Sequence, residues 1–154
     1  MNGTVQSASM SGSVISLQRC PGHRRPMERL DEATFDLEGL EGDAHRGPDS
    51  IKQVLLEDAE VLEALDLVPG QIKENVTVRG VGVNALAPGT RLALGPVLLE
   101  ITKAAGPCHR MEEIRLGLRE RLEGCRGALA RVLTPGAVRV GDGVVVHRRE
   151  TVRS

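Results

Sequence analysis

A cysteine at position 108 stands in Gly106-Pro107-Cys108-His109-Arg110, directly after the strand-like run Val97-Leu98-Leu99-Glu100-Ile101-Thr102-Lys103. The Gly-Pro pair turns the chain where the strand stops, so the thiol emerges beside an imidazole and a guanidinium. Neighbouring cations favour a thiolate, the form that attacks electrophiles and binds soft metals. The competing reading is a buried thiol that serves only as a small, inert hydrophobe.

Three further clusters could do chemistry. Gly42-Asp43-Ala44-His45-Arg46-Gly47 places a carboxylate, a titratable imidazole and a guanidinium between two glycines. Glycine lets the backbone bend sharply and approach a ligand closely, so the set suits a polar or anionic group; it equally suits a surface turn in which Asp43 bonds its own backbone. Glu74-Asn75 follows Pro69-Gly70 and opens a strand-like segment. It reads either as a turn exit or as two polar groups at a pocket mouth. Cys20-Pro21-Gly22-His23 has the spacing of two ligands to one metal but lacks a second pair nearby, and a longer-range set of Cys20, His23, His45, Cys108 and His109 stays open. Cys125 is read as a loop residue, with a resolving thiol for Cys108 as the alternative, and His147 as structural or exposed.

The elements that must position these residues are short. Turn signals recur from Pro21-Gly22 to Gly141 and Gly143, and residues 13–17, 34–37, 75–79, 91–94, 97–103, 137–140 and 144–147 read as strands. Short strands at this spacing predict a mainly β (α+β) fold, a closed or partly open β-barrel with a few peripheral helices, and not alternating βαβ units. Residues 57–65 carry Val61, Leu62 and Leu65 at helical spacing, with acids on the other face. Residues 109–123 place Met111, Ile114, Leu118 and Leu122 on one face, with Glu112–Arg115 and Arg119–Glu123 spaced for side-chain pairing. A helix there would put free N–H groups and a partial positive charge near the Cys108 thiol.

Composition narrows the classes. A chain of 154 residues forms about one domain, able to bury roughly 70% of its unfolded surface. We read residues 1–11 as a flexible leader, 12–148 as the domain and 149–154 as a tail. The formal charge is −1, and Phe35 is the only aromatic residue, which argues against nucleic-acid or membrane-surface binding. A flat heterocycle would have to be held by hydrogen bonds and aliphatic contacts. The cations are nearly all arginine; only Lys52, Lys73 and Lys103 are lysines. Genome composition explains such a bias by default, and bidentate arginine grips on phosphate are the alternative. Three scattered cysteines form no disulfide framework, and residues 1–11 lack the basic start and apolar centre of a signal peptide, so a reducing cytoplasm is expected. No GxSxG elbow, HExxH helix, P-loop or GxGxxG loop supports a conventional hydrolase, kinase or dehydrogenase.

The pieces also have an order. It runs from Gly39-Leu40-Glu41-Gly42-Asp43-Ala44-His45 through Gln53-Val54, Pro69-Gly70 and Glu74-Asn75-Val76-Thr77 to Gly80. After these come Leu86 to Gly89, Gly95 with Leu99-Glu100-Ile101-Thr102, Pro107-Cys108, Arg126-Gly127-Ala128-Leu129-Ala130-Arg131-Val132-Leu133 and Val138-Arg139-Val140-Gly141-Asp142. This ordered set resembles the MOSC family, named for the C-terminal domain of molybdenum-cofactor sulfurases, over residues 13–146. The chain looks like a small stand-alone bacterial version.

The resemblance implies a β-barrel-centred domain and makes Cys108 the family's characteristic cysteine. In eukaryotic relatives that reduce N-hydroxylated compounds, the equivalent cysteine ligates molybdenum held by a pterin dithiolene. In sulfurase-linked relatives the domain is thought to receive sulfur or carry the cofactor. The resemblance thus implies molybdenum cofactor (molybdopterin) and a sulfur-carrier or cofactor-handling role through Cys108, as metal ligand or persulfide holder. The alternative is a molybdenum-dependent reductase of N-hydroxylated bases or amidoximes. It also implies that Asp43, His45, Arg46, Glu74 and Asn75 line the cofactor pocket, with His45 and Arg46 near the pterin or its phosphate and Asn75 bonded to its ring. Lys103 and Arg110, flanking Cys108, would stabilise phosphate or thiolate. Some small relatives have a second cysteine shortly after the first; here the stretch reads His109-Arg110-Met111-Glu112. No pyridoxal-phosphate site is expected in this chain, so a cysteine desulfurase, or a molybdoenzyme or electron-transfer partner, would be separate.

Overall fold

The structure is a computed structural model that describes the backbone of residues 3–152 and the side chains of residues 11–147. Seven strands close into a barrel: β1 (Gly3–Arg19), β5 (Val54–Asp58), β6 (Val76–Arg79), β7 (Arg91–Leu94), β8 (Val97–Ala104), β9 (Ala128–Thr134) and β11 (Gly143–Val152). Around the ring the order is β1, β6, β5, β9, β8, β7, β11, and the β11–β1 pairing completes it. Closure leaves no open edge within the ring, which is how a small all-β wall avoids exposed backbone donors. Outside the ring, β2 (Glu28–Leu30) pairs with β1. A second sheet of β3 (Glu32–Asp36), β4 (Gly39–Leu40) and β10 (Gly136–Arg139) covers the core with Phe35, Leu40 and Val138.

The expected barrel is present, and most of its strands lie where alternation placed them. β8 shows why: Val97, Leu99 and Ile101 are buried inward at every second position. β1 needs one irregularity. Val14 and Leu17 both join the core although three residues apart, and a register shift between Val14 and Ser16 turns both inward. The sequence reading passed over β5 and β9, two adjacent strands of the wall. Their Leu- and Ala-rich segments lack β-branched alternation, and β5 is buried on both faces, so Val-Leu-Leu-Glu-Asp shows no apolar–polar alternation. The ring also contains one βαβ connection, since β5 and β6 run parallel. Of the expected leader and tail, residues 1–2 and 153–154 lie outside the described residues; β1 begins at Gly3 and β11 ends at Val152.

Both expected helices are shorter than the apolar spacing suggested. Glu57 and Asp58 belong to β5, and α1 is Ala59–Ala64. The 109–123 segment splits into a 3-10 turn, His109–Glu113, and α2, Leu118–Arg121, which begins after Gly117 at φ +86°. Glu112 accepts from the backbone N–H groups of Gly117 and Arg119, and Arg115 donates to the carbonyls of Leu65 and Asp66, so the expected Glu112–Arg115 pairing is replaced. A five-residue 3-10 turn has no sizeable macrodipole, so the expected helix field at Cys108 is withdrawn. The apolar face nevertheless does its packing. Met111, Leu118 and Leu122 join Leu62, Leu65, Leu67 and Ile72 in a second core that caps the barrel wall, and each fully buried leucine there stabilises the cap by roughly 2 kcal/mol.

Candidate functional site

Strand β8 ends at Ala104, and three hydrogen bonds hold the segment that follows. Ala105 N–H donates to Gly127 O at 3.0 Å, Arg126 Nη1 donates to Gly106 O at 3.0 Å, and Met111 N–H donates to Cys108 O at 3.0 Å. Cys108 is half-buried, packs against the cap and lines a cavity of about 580 Å³. The same cavity is lined by His23, Arg24, Arg25, His45, Lys73, Arg110 and Arg126. Its one acid, Glu113, is already engaged with Arg24 at 3.2 Å and Arg110 at 3.8 Å. An adjoining recess of about 240 Å³ shares His45, Lys73 and Arg126 and adds Lys52 and Lys103. All three lysines of the chain therefore line this recess. The concavity is strongly cationic although the chain's net charge is −1, and it suits an anionic ligand.

Arg126 is central, and the sequence reading gave it no role. Nη2 donates to Ile72 O at 3.1 Å while Nη1 holds Gly106, so one guanidinium ties the Cys108 segment to the loop before β6. Burial lowers its pKa, while Cys108, Glu57 and Glu74 favour its charged form. Lys73 was also missed. It sits at φ +72°, a strained conformation for a residue with a Cβ, and such strain gathers at ligand sites. The one signal available beforehand was scarcity: three lysines among twenty Lys and Arg residues.

The expected pocket residues separate into two groups. Cys108, His45 and Arg110 line the larger cavity; His45, Lys103 and Asn75 line the recess. Asp43, Arg46 and Glu74 line neither. Asp43 acts as a pin: one carboxylate oxygen accepts from Cys20 N–H at 2.7 Å and Asn75 Nδ2 at 3.0 Å, the other from His45 N–H at 3.0 Å with His45 Nδ1 at 3.2 Å. Burial alone would raise the Asp43 pKa, but the His45 ring and the two N–H donors hold it below the usual range. The bond to Asp43 in turn raises His45, against burial and the nearby Arg126. Arg46 turns to Asp36 at 2.8 Å. Glu74 is fully buried, raised by that burial, and accepts from Thr77 Oγ1 at 2.8 Å.

Asn75 is committed to the scaffold. Oδ1 accepts from Leu55 N–H at 3.0 Å, and Nδ2 donates to Gln18 O at 3.2 Å as well as to Asp43. It thereby joins β1, β5 and the 42–47 loop. Asn75→Ala is expected to cost about 2 kcal/mol in the unliganded protein by orphaning the buried Leu55 N–H. Thermal unfolding without ligand measures this, and an unchanged Tm would contradict the scaffold role.

Cys20, His23, His45 and Cys108 share the cavity wall, whereas His109 is not in it. Among the described residues no group of three or more His, Cys, Asp or Glu side chains is placed to hold a metal ion. Cys125 lines neither cavity; its Sγ contacts Arg121 O at 3.5 Å, and burial and the nearby Glu57 push the thiol up. Among the described residues no helix is long and apolar enough to cross a membrane.

Comparison with known proteins places this geometry. The family described as MOSC domain matches residues 49–145. The fold is similar to that of the YuaD protein from Bacillus subtilis, with TM-score 0.79 and 19% identity over 99% of this chain and 100% of that one. It is similar to YiiM from Geobacillus stearothermophilus, with TM-score 0.72 and 16% identity over 88% and 74% of the two chains. YiiM from Escherichia coli gives TM-score 0.64 and 20% identity over 92% and 70%. At these identities the likeness is one of fold. No curated protein matches the chain.

Proposed function

Because the chain belongs to the MOSC domain family, we propose that it binds molybdenum cofactor or carries its sulfur through the Cys108 thiolate, in cofactor sulfuration, handling or delivery. The observation that carries this reading is Cys108 on the wall of a cationic cavity with Lys73, Arg110 and Arg126, beside a recess that adds Lys52 and Lys103. The donor set fits the cofactor. A half-buried thiol without, among the described residues, a three-residue ligand cluster around it suits a metal that arrives on an organic ligand and not a closed tetrahedral zinc site. When bound, the cofactor would supply a molybdenum ion for Cys108 to ligate, and Lys52, Lys73 and Lys103 would face its anionic group.

Sulfur carriage uses the same thiolate. Cys108 attacks the outer sulfur of a donor protein's persulfide, the donor's S–S bond breaks, and the donor leaves as a thiolate while Cys108 holds the persulfide. A separate cysteine desulfurase is the donor class this requires.

Protein purified from a cofactor-producing host is expected to carry molybdenum or a one-sulfur adduct on the Cys108 peptide. Elemental analysis and peptide mass spectrometry measure the two. Protein with neither, after exposure to cofactor and to a desulfurase with cysteine, would overturn the proposal. Turnover of an N-hydroxylated base with a reconstituted electron donor would replace carriage by reduction.

A further inference from the structure

Behind the cavity lies a polar ring that the proposed chemistry does not use. On β5 and β6, Val54, Leu56, Val76 and Val78 face the barrel core, so Glu57 and Thr77 face outward toward the cap. Glu57 and Thr77 are direct partners in the parallel ladder, and Thr77 Oγ1 donates to Glu74 Oε2 at 2.8 Å; the two carboxyl groups converge there. Asn84 Nδ2 donates to Glu57 Oε1 at 2.7 Å while Asn84 Oδ1 accepts from Gly127 N–H at 2.7 Å, beside Arg126. Arg126 closes the ring by its bond to Ile72 O, two residues before Glu74.

Each of Glu57, Glu74 and Arg126 keeps one buried polar atom without a partner: Oε2, Oε1 and Nε. Among the described residues these are the only such side-chain atoms. Both carboxyl groups are fully buried. Orphaned polar atoms scattered through a core would be unrelated faults; these three belong to groups close enough to feel one another's charge, and an internal water needs two to four polar partners of this kind. We propose that Glu57, Glu74 and Arg126 enclose an internal water site between the barrel wall and the cap.

The charges around Glu57 favour this arrangement. Burial opposes its ionisation most, joined by Asp58 on its own strand and Glu74 before β6; the Asn84 amide, the Asp58 N–H and the Arg126 charge act the other way, and its pKa is still pushed up to about 8. Arg126 and Cys125 face it from the loop before β9. The neutral acid leaves the Arg126 charge to Cys108 and to an anion in the cavity. This holds whichever species Cys108 binds.

Infrared titration of the wild-type protein tests the proton. A protonated-carboxyl band that shifts in D2O is expected at pH 7, with loss centred near pH 8 and absence from Glu57→Gln. No such band at pH 7 in the wild type, or the same band in Glu57→Gln, would overturn the assignment. The sign for stability follows. The unfolded chain releases this proton near 4.5 and the folded chain near 8, so the wild-type Tm falls with pH across that window and Glu57→Gln removes that share of the fall. Cys125 reports the charge. Above pH 8 its alkylation should be faster in Glu57→Gln than in wild type, and equal rates would contradict the arrangement. A high-resolution crystal structure should show a water bonded to the three orphaned atoms; direct contact among them without water would exclude the site.

Discussion

Cys108→Ser is expected to abolish both molybdenum retention and persulfide formation while leaving the fold intact. A serine hydroxyl stays protonated at neutral pH, is a hard ligand where molybdenum in a dithiolene setting takes a soft one, and cannot hold sulfane sulfur. The thiol is half-buried and has no hydrogen-bond partner at its sulfur among the described residues, so the exchange should cost less than about 1 kcal/mol of stability. Cys125→Ser provides the contrast. That thiol contacts the Arg121 carbonyl, lines neither the cavity nor the recess, and is pushed up chiefly by burial, so both activities should persist. Molybdenum content and the one-sulfur mass increment, measured on both variants, decide the matter. Equal retention by the two would remove Cys108 from the site.

The second large effect is expected from Gly127→Ala. Gly127 sits at φ +105°, and a Cβ there would press into the Leu56 carbonyl, which belongs to the barrel wall and cannot swing aside. Gly127 also donates to Asn84 and accepts from Ala105, so a displaced backbone disturbs the Glu57 ring and the Cys108 segment together. Strain and overlap add to about 4 kcal/mol, equivalent to a Tm lower by roughly 10 °C in a domain of this size. Thermal unfolding measures the loss. A variant as stable as wild type would mean that the chain does not take this conformation.

The legibility of the fold follows burial. β8 could be read because one face is buried and the other wet, which prints a period of two on the sequence. β5 could not, because both of its faces are covered, one by the core and one by the cap, and Val-Leu-Leu-Glu-Asp has no period to show. Glu57 was mistaken for the solvent face of a helix for the same reason: its carboxyl pattern is helical, and only the parallel pairing with β6 makes it an outward-facing strand residue. The 109–123 segment carried the correct apolar face but not its break, because Gly117 turns the chain into the second piece through a local φ and Glu112 caps that piece with its carboxylate.

By itself the sequence determined what is local: a β-rich chain punctuated by Gly and Pro, the ordered motifs of the MOSC family, and a cysteine released at a forced turn beside His109 and Arg110. Turn chemistry and alternation act within a few residues, so they can be read along the chain. Only the tertiary structure decided which charges meet that cysteine. Closing the barrel brings Lys73 and Arg126 to that cysteine's cavity, and Lys52 and Lys103 to the adjoining recess, from segments far apart in sequence, while Asp43 and Asn75 become bonded parts of the frame. The selection is made by backbone donors and acceptors that must be satisfied once buried, and the partners of Asp43 and Asn75 lie up to 57 residues away, as Gln18 does from Asn75.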